Sequence, residues 1–400
     1  MRVLSISTLF PCPARPNFGI FVGRQMAALV ARGIDLTMLN PIGIPPWPLS
    51  RREPYAGLLA MGPRSRFGEI AVHHPRFPVF PGPGADSNPG RIARAVLPMA
   101  RRLHAETPFD VIDAQFFFPD GPAAALVARD LGLPLSIKAR GADIHYWGAR
   151  PRARAQMLAA ARQAAGLLAV SQALRDDMIA LGMPARHIAV HHTGLDHARF
   201  RPTDRAAARA GLPLPADGPL LVTVGALIPR KGQRFVVEAL AALPGARLAI
   251  AGKGEDESAL RALAERLGLR SRVHFLGQMP HDDLPALYTA ADVMVLPSAS
   301  EGLANAWVEA LACGTPIVIP DIGGAREVVQ GPAAGRLAAR DASAIAEAMR
   351  SILSDPPTQA ETAACAAPFS WERNAETLEA HYRRIISAAC APAKPGTAGC

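Results

Sequence analysis

The feature that most constrains this chain is an alternation that runs through it twice. Short apolar runs are separated by Ala- and Leu-rich stretches long enough for helices. In the first half, Val3–Leu9, Asp35–Leu39, Val111–Ala114, Leu135–Ile137 and Leu167–Val170 read as strands, with helices at Val22–Ala31, Pro122–Leu131 and Arg150–Ala165. In the second half, strands are expected at Leu220–Val224, Arg247–Ala251, Val273–Leu276, Val293–Leu296 and Ile317–Ile319. Helices fall between them, near Gly232–Ala242, Glu257–Gly268, Asp283–Ala290, Ala306–Ala312 and Ala342–Ser354. Apolar runs without polar alternation belong to strands covered on both faces, so the pattern predicts parallel sheets flanked by helices. At roughly 100–200 residues per domain, the 400 residues divide into two such units. The expected class is α/β, with two Rossmann-like doubly wound domains, residues 1–198 and 199–370. The stretch Arg199–Gly218, with Pro202, Pro213, Pro215 and Gly218, has linker composition. Residues 41–90 hold eleven prolines and read as an irregular excursion from the first domain. A last helix at Trp371–Ala388 is expected to pack back on the first domain, and 389–400 to form a disordered tail.

Composition excludes several classes. With 50% hydrophobic and 19% charged residues, the chain has the apolar content to offset ordering entropy, so extensive disorder is excluded. No apolar run approaches the ~18–20 residues that span a bilayer. The opening Met1–Ser7 soon meets Pro11 and Pro13 and reads as a strand instead of a signal-peptide core, so a cytoplasmic protein is expected. Five cysteines, odd in number and without a CxxC pair, exclude a disulfide framework and a zinc site, and Cys313 reads as a small buried residue ending a helix. The net charge of +9 is uneven: residues 1–200 carry 23 Lys+Arg against 13 Asp+Glu, while the rest are nearly balanced. An acidic partner of the first half or mere base composition both account for it, since 39 of the 43 basic residues are Arg. No basic helix or aromatic-interleaved basic strand is present, so nucleic acid is not the expected partner.

In doubly wound domains ligands bind beyond the carboxyl ends of the strands, where helix N-termini present free N–H groups. The first exit loop of the second half, Gly225-Ala226-Leu227-Ile228-Pro229-Arg230-Lys231-Gly232, carries two adjacent cations ahead of a helix and suits phosphate. Its spacing is neither that of a P-loop nor the GxGxxG fingerprint. The next, Ala251-Gly252-Lys253-Gly254-Glu255, is equally consistent with a tight turn. The third, Pro297 to Glu309, puts Glu301 and Gly302 before the helix start at Leu303, Ala304 and Asn305, with Glu309 about a turn further in. Two carboxylates beside a phosphate-binding helix start read as acceptors for sugar hydroxyls in preference to a glycosidase acid–base pair.

Together these residues resemble the retaining glycosyltransferases of family 4 (glycosyltransferase group 1), of GT-B fold, whose two domains face each other across a cleft. The resemblance rests on the Glu301–Glu309 spacing, the run Glu309-Ala310-Leu311-Ala312-Cys313-Gly314-Thr315-Pro316, the Arg230-Lys231-Gly232 turn and Gly252. It implies that Arg230 and Lys231 hold the diphosphate of a UDP- or GDP-sugar, and that Glu309 holds the ribose. It further implies that Glu301 and the backbone of Gly302, Leu303, Ala304 and Asn305 hold the donor sugar and phosphate. Gly225, Gly252 and the turn at Met279 complete the donor site, with Gly19 approaching the phosphate from the first domain. No cofactor and no metal are expected. Where the family often has His-Gly-x-Asp, this chain has Arg140-Gly141-Ala142-Asp143. An Arg is no general base at neutral pH. Arg140 is instead expected to stabilise the departing phosphate or orient the acceptor, with Asp143 keeping its catalytic place.

The resemblance implies front-face transfer with retention, to a lipid-linked or polysaccharide acceptor in envelope or exopolysaccharide synthesis. A nucleotide-sugar epimerase and a non-catalytic sugar-binding relative are the rival readings. The basic first half is then expected to meet an anionic membrane at the inner face of the plasma membrane.

Overall fold

The computed structural model describes residues 1–80, 82–215 and 217–390; Pro81 and the tail from 391 onward lie outside the described residues. The chain divides into two compact units. The first comprises Met1–Val170, Leu174–His191 and the C-terminal helix from Trp371; the second comprises Ser171–Ala173 and His192–Ser370.

The first unit contains β1 (Arg2–Ile6), β2 (Asp35–Leu39), β3 (Ile42–Ile44), β4 (Arg64–Phe67), β5 (Ile70–His73), β6 (Arg76–Pro78), β7 (Val111–Ala114), β8 (Leu135–Ala139), β9 (Gly166–Ala169) and β10 (Ile188–Val190). Its main sheet has the order β10-β9-β8-β7-β1-β2-β5-β4. All neighbours are parallel except the β4/β5 hairpin at one edge. β1 ends at Ile6, earlier than its apolar run suggests, because the Thr8 N–H turns aside to donate to Asp120 Oδ2 at 2.8 Å.

Residues 41–90 are more regular than their prolines suggest. They supply β4 and β5 to the main sheet, and β3 and β6 pair as a separate parallel ribbon. The prolines fall at strand boundaries, where no ladder N–H is required: Pro63 precedes β4, Pro75 separates β5 from β6, and Pro78 ends β6. The sequence reading also passed over the 19-residue helix Asn88–Glu106, whose pattern is interrupted by Pro98 inside it. Its buried face is Ile92, Ala93, Val96 and Ala100. The C-terminal helix, Trp371–Cys390, lies in the first unit, where Leu378, Tyr382 and Ile385 share a core with Val22, Met26 and Leu29 of the helix Ile20–Ala31. It takes in residues 389 and 390, which the sequence reading gave to the tail.

The second unit contains β11 (Leu220–Val224), β12 (Arg247–Ala251), β13 (Val273–Gly277), β14 (Val293–Val295), β15 (Ile317–Ile319) and β16 (Gly335–Leu337). The order β13-β12-β11-β14-β15-β16 is parallel throughout and is the doubly wound pattern. The winding reverses between β11 and β14, so the loops that leave these two strands flank the switch point. Residues 199–218 are not wholly irregular: Arg205–Ala210 is a short helix whose start is capped by Asp204 Oδ1, which accepts from the Ala207 N–H at 2.7 Å.

Candidate functional site: the switch-point loops of the second unit

After β11 the chain makes a 3-10 turn at Pro229–Lys231 and enters the helix Gln233–Leu240 through Gly232. Gly232 has φ 73°, and a Cβ there would lie 2.4 Å from the Pro297 carbonyl oxygen. Only glycine allows the loops after β11 and β14 to touch backbone to backbone. They are sewn together at that contact. The Ala299 N–H donates to the Arg230 carbonyl at 2.7 Å, and Arg230 Nη1 donates to the Ser300 carbonyl at 2.5 Å. Arg340 donates from Nε to the Pro297 carbonyl at 2.8 Å and from Nη2 to the Pro229 carbonyl at 2.7 Å. The sequence reading missed Arg340, which stands just beyond β16, far along the chain from the loops it bridges.

The turn delivers Lys231 Nζ to Glu301 Oε1 at 2.5 Å, with Arg230 Nη1 at 3.5 Å from the same oxygen. Lys231 and Glu301 are 15% and 12% exposed, so the pair is largely withdrawn from water, whereas Arg230 at 41% is open. Glu301 precedes the helix Asn305–Ala312, whose N-cap is Ala304, one residue earlier than expected. A helix start leaves its first N–H donors without intrahelical partners, which places partial positive charge beside the pair. Leu303 and Ala304 are buried. Asn305 Oδ1 accepts from Thr193 Oγ1 at 2.8 Å, and the Gly302 carbonyl accepts from the Gly324 N–H at 2.7 Å. Gly302 thus has a supporting role as well as an open backbone. The second loop packs against the first: a Cβ on Gly252 would fall 1.9 Å from the Gly225 carbonyl oxygen, and the Leu227 N–H donates to the Lys253 carbonyl at 3.0 Å.

Glu309 is buried, at 7% exposure, and its carboxylate is engaged on both oxygens. His281 Nε2 lies 3.0 Å from Oε1, and Tyr288 Oη donates to Oε2 at 3.3 Å. Burial holds the Tyr288 phenol well above its ordinary pKa, with the Glu309 charge adding to the effect, so it remains a donor. His281 follows the half-buried Met279 by two residues, so the Met279 turn and Glu309 are neighbours through that imidazole. Neither His281 nor Tyr288 had been singled out. Cys313 ends the helix fully buried, and burial pushes its thiol up to about 12, the state of an inert core residue.

The first unit holds the other expected residues. Gly19 sits in the left-handed region (φ 69°) as the N-cap of Ile20–Ala31. Arg140 follows β8; its Nε donates to the Gln115 carbonyl at 2.7 Å and its Nη2 to Gln115 Oε1 at 2.6 Å. The guanidinium stands over the Phe21 ring. Burial pulls its pKa down to about 10, opposed by Asp143 and Asp113, and it stays charged at neutral pH. Asp143 is fully buried. It accepts the backbone N–H groups of Phe117, Arg140, Gly141 and Ile144, at 2.8 to 3.2 Å. Its carboxylate is spent on shaping the turn beneath Arg140. Asp143 is therefore assigned a positioning role in place of the catalytic one expected from the motif. Among the described residues no group of three His, Cys, Asp or Glu side chains is placed to hold a metal ion, and no helix is long and apolar enough to cross a membrane.

Comparison with known proteins agrees with this geometry. Residues 204–367 match the family model described as glycosyl transferases group 1, and residues 19–199 match that of glycosyltransferase family 4. The chain belongs to these glycosyltransferases, and its fold is GT-B. Over 217 residues it is 41% identical to the D-inositol 3-phosphate glycosyltransferases of Mycobacterium tuberculosis and Mycobacterium bovis. That match covers 51% of this chain and 45% of each relative, so it spans less than half of their length. Sucrose-phosphate synthase from Thermosynechococcus elongatus superposes with a TM-score of 0.80 at 22% identity, covering 97% of this chain and 100% of that one. Anabaena HepE in complex with UDP superposes with a TM-score of 0.74 at 21% identity, with the same coverage.

Proposed function

We propose that the protein transfers a hexose from a UDP- or GDP-sugar to a lipid-linked or glycan acceptor, with retention and without a resident metal, in cell-envelope or exopolysaccharide synthesis. The observation that carries this reading is the Lys231–Glu301 pair beside a helix start at the switch point of the second unit. A departing nucleoside diphosphate builds up negative charge, and preorganised cations and N–H dipoles lower the cost of that charge. Lys231 and the more exposed Arg230 supply the cations, and the helix start at Ala304–Asn305 supplies the dipole. Glu301 accepts hydroxyls of the donor sugar, and Glu309, aimed by His281 and Tyr288, accepts those of the ribose. Gly225, Gly252 and the turn at Met279 form the remaining donor wall. Gly19 contributes backbone from the first unit, and Arg140 a fixed positive charge. The bound UDP and UDP-glucose in HepE structures of the same fold support the choice of donor class.

The basic first unit is proposed to rest on an anionic membrane surface. Trp47 is 74% and Leu49 43% exposed next to Arg51 and Arg52, a pairing suited to a lipid interface. Incubation with UDP- and GDP-sugars, with and without lipid-linked acceptors, tests the reading. Transferred sugar supports it, whereas epimerised donor or bound but unreacted donor overturns it.

A further inference from the structure

The first unit has a switch point of its own. Its strand order reverses at β1, with β2 on one side and β7 on the other. At the carboxyl ends of β1, β2, β7 and β8 lies a crevice of about 290 Å³. Aromatic rings dominate its walls: Phe10, Phe18, Tyr55, Phe77, Phe118 and Trp147. Trp147 and Phe118 pack at 4.6 Å between centroids, and Arg150 covers Trp147, which fixes this wall. Two polar side chains at the crevice are already satisfied. Thr8 Oγ1 donates to Asp120 Oδ1 at 2.8 Å, and Asn40 Nδ2 donates to the Ser7 carbonyl at 2.7 Å while its Oδ1 meets His74 Nδ1 at 3.2 Å. Asn88 differs. It is 9% exposed, it lines the same crevice, and its Oδ1 has no hydrogen-bond partner among the described residues. A buried carbonyl oxygen without a donor is costly, and one facing a crevice is positioned for a ligand donor. Arg15 stands at half exposure on the same crevice, over the Phe18 ring.

We propose that this crevice seats an apolar group borne by the acceptor, next to a hydroxyl or N–H that Asn88 Oδ1 receives. The word acceptor rests on the transferase reading; the apolar, donor-bearing chemistry of the ligand rests on the crevice alone. Ring walls with one free acceptor oxygen favour an alkyl or aryl glycoside over a bare sugar, whose several hydroxyls would be left unpaired there. The test is calorimetric titration of the full chain with hexyl, phenyl and methyl β-D-glucosides, with UDP titrated in parallel. Hexyl and phenyl glucosides are expected to bind at least tenfold more tightly than methyl glucoside. Val79→Trp, which fills the crevice from a half-buried position, and Phe18→Ser, at a 45% exposed one, are each expected to remove that preference with UDP affinity unchanged. Asn88→Leu is expected to weaken all three glucosides. Equal binding of the three glucosides, or a preference that survives Phe18→Ser and Val79→Trp, overturns the inference. Apolar binding without sugar transfer would leave the crevice assignment standing and remove the transferase reading. Transfer to a polysaccharide without apolar preference would do the reverse.

Discussion

Lys231 Nζ and Glu301 Oε1 lie 2.5 Å apart although 70 residues separate them in the chain. Each is carried by a loop that leaves one of the two strands flanking the switch point. Each is also mostly shielded from water, so the charge of either one is balanced chiefly by the other. A phosphate entering beside Lys231 competes with Glu301 for it, and Glu301 is then released toward hydroxyls of the incoming sugar. The pair acts as a latch between the empty and the loaded donor site.

That relationship predicts the outcome of two substitutions. Lys231→Ala and Glu301→Gln should each lower turnover by roughly 10²-fold, about 3 kcal/mol of transition-state stabilisation. Steady-state nucleotide release checks this, and near-wild-type rates in either variant would remove both residues from the reaction.

Arg340 touches two carbonyls, one from each loop. A lysine cannot span both with a planar fork. Arg340→Lys should therefore raise the donor KM by about tenfold and change kcat by less than threefold, because it loosens the cradle without altering the reacting groups. A fall confined to kcat would contradict this role.

Asp143 gathers four backbone N–H groups in the interior of the first unit. Asp143→Ala leaves them without an acceptor and should cost on the order of 3 kcal/mol of stability. Denaturant unfolding measures that loss. Donor affinity, read by UDP titration of the folded variant, should remain that of the wild type; an unchanged unfolding midpoint would show that the turn does not depend on the carboxylate.

Two buried histidines set an acid limit. His381, against Ser136 Oγ, has its pKa lowered to about 3, first by burial and then by Arg384 and Lys138. His191 is lowered well below 6.5 by burial, with Lys138 and Arg140 adding; its Nδ1 faces Lys138 Nζ and its Nε2 the Asn374 carbonyl. In both cases the folded pKa lies below the unfolded one, so the unfolded chain binds the extra protons. Their stability contribution is complete above pH 6.5 and is lost as pH falls from 6.5 toward 3, by up to about 1.4 kcal/mol per pH unit for each histidine. Melting temperatures between pH 8 and pH 5 should fall accordingly, and His381→Gln should make that fall shallower. An identical slope in the variant would count against this origin.

Much of the donor loops could be read along the chain because their chemistry is local. Arg230, Lys231 and Gly232 are consecutive, and Glu301 and Glu309 straddle one helix start. The irregular look of residues 41–90 misled because proline marks where a ladder N–H is missing, without showing that the missing N–H sits at a strand boundary. The helix Asn88–Glu106 was hidden by Pro98 for a similar reason. Asp143 kept its motif position, yet its four donors come partly from Phe117, which no local pattern connects to it.

The sequence alone determined the α/β class, the two-unit plan, the family and the residues that face the donor, since strand periodicity and loop composition are properties of neighbours along the chain. The tertiary structure decided which groups support them: Arg340 tying two loops, His281 and Tyr288 aiming Glu309, Asp143 spent on backbone, and Asn88 left open in a ring-lined crevice. Those pairings join residues tens to hundreds of positions apart, and burial sets their chemistry. Burial is a property of the packed chain, which no single stretch of sequence carries.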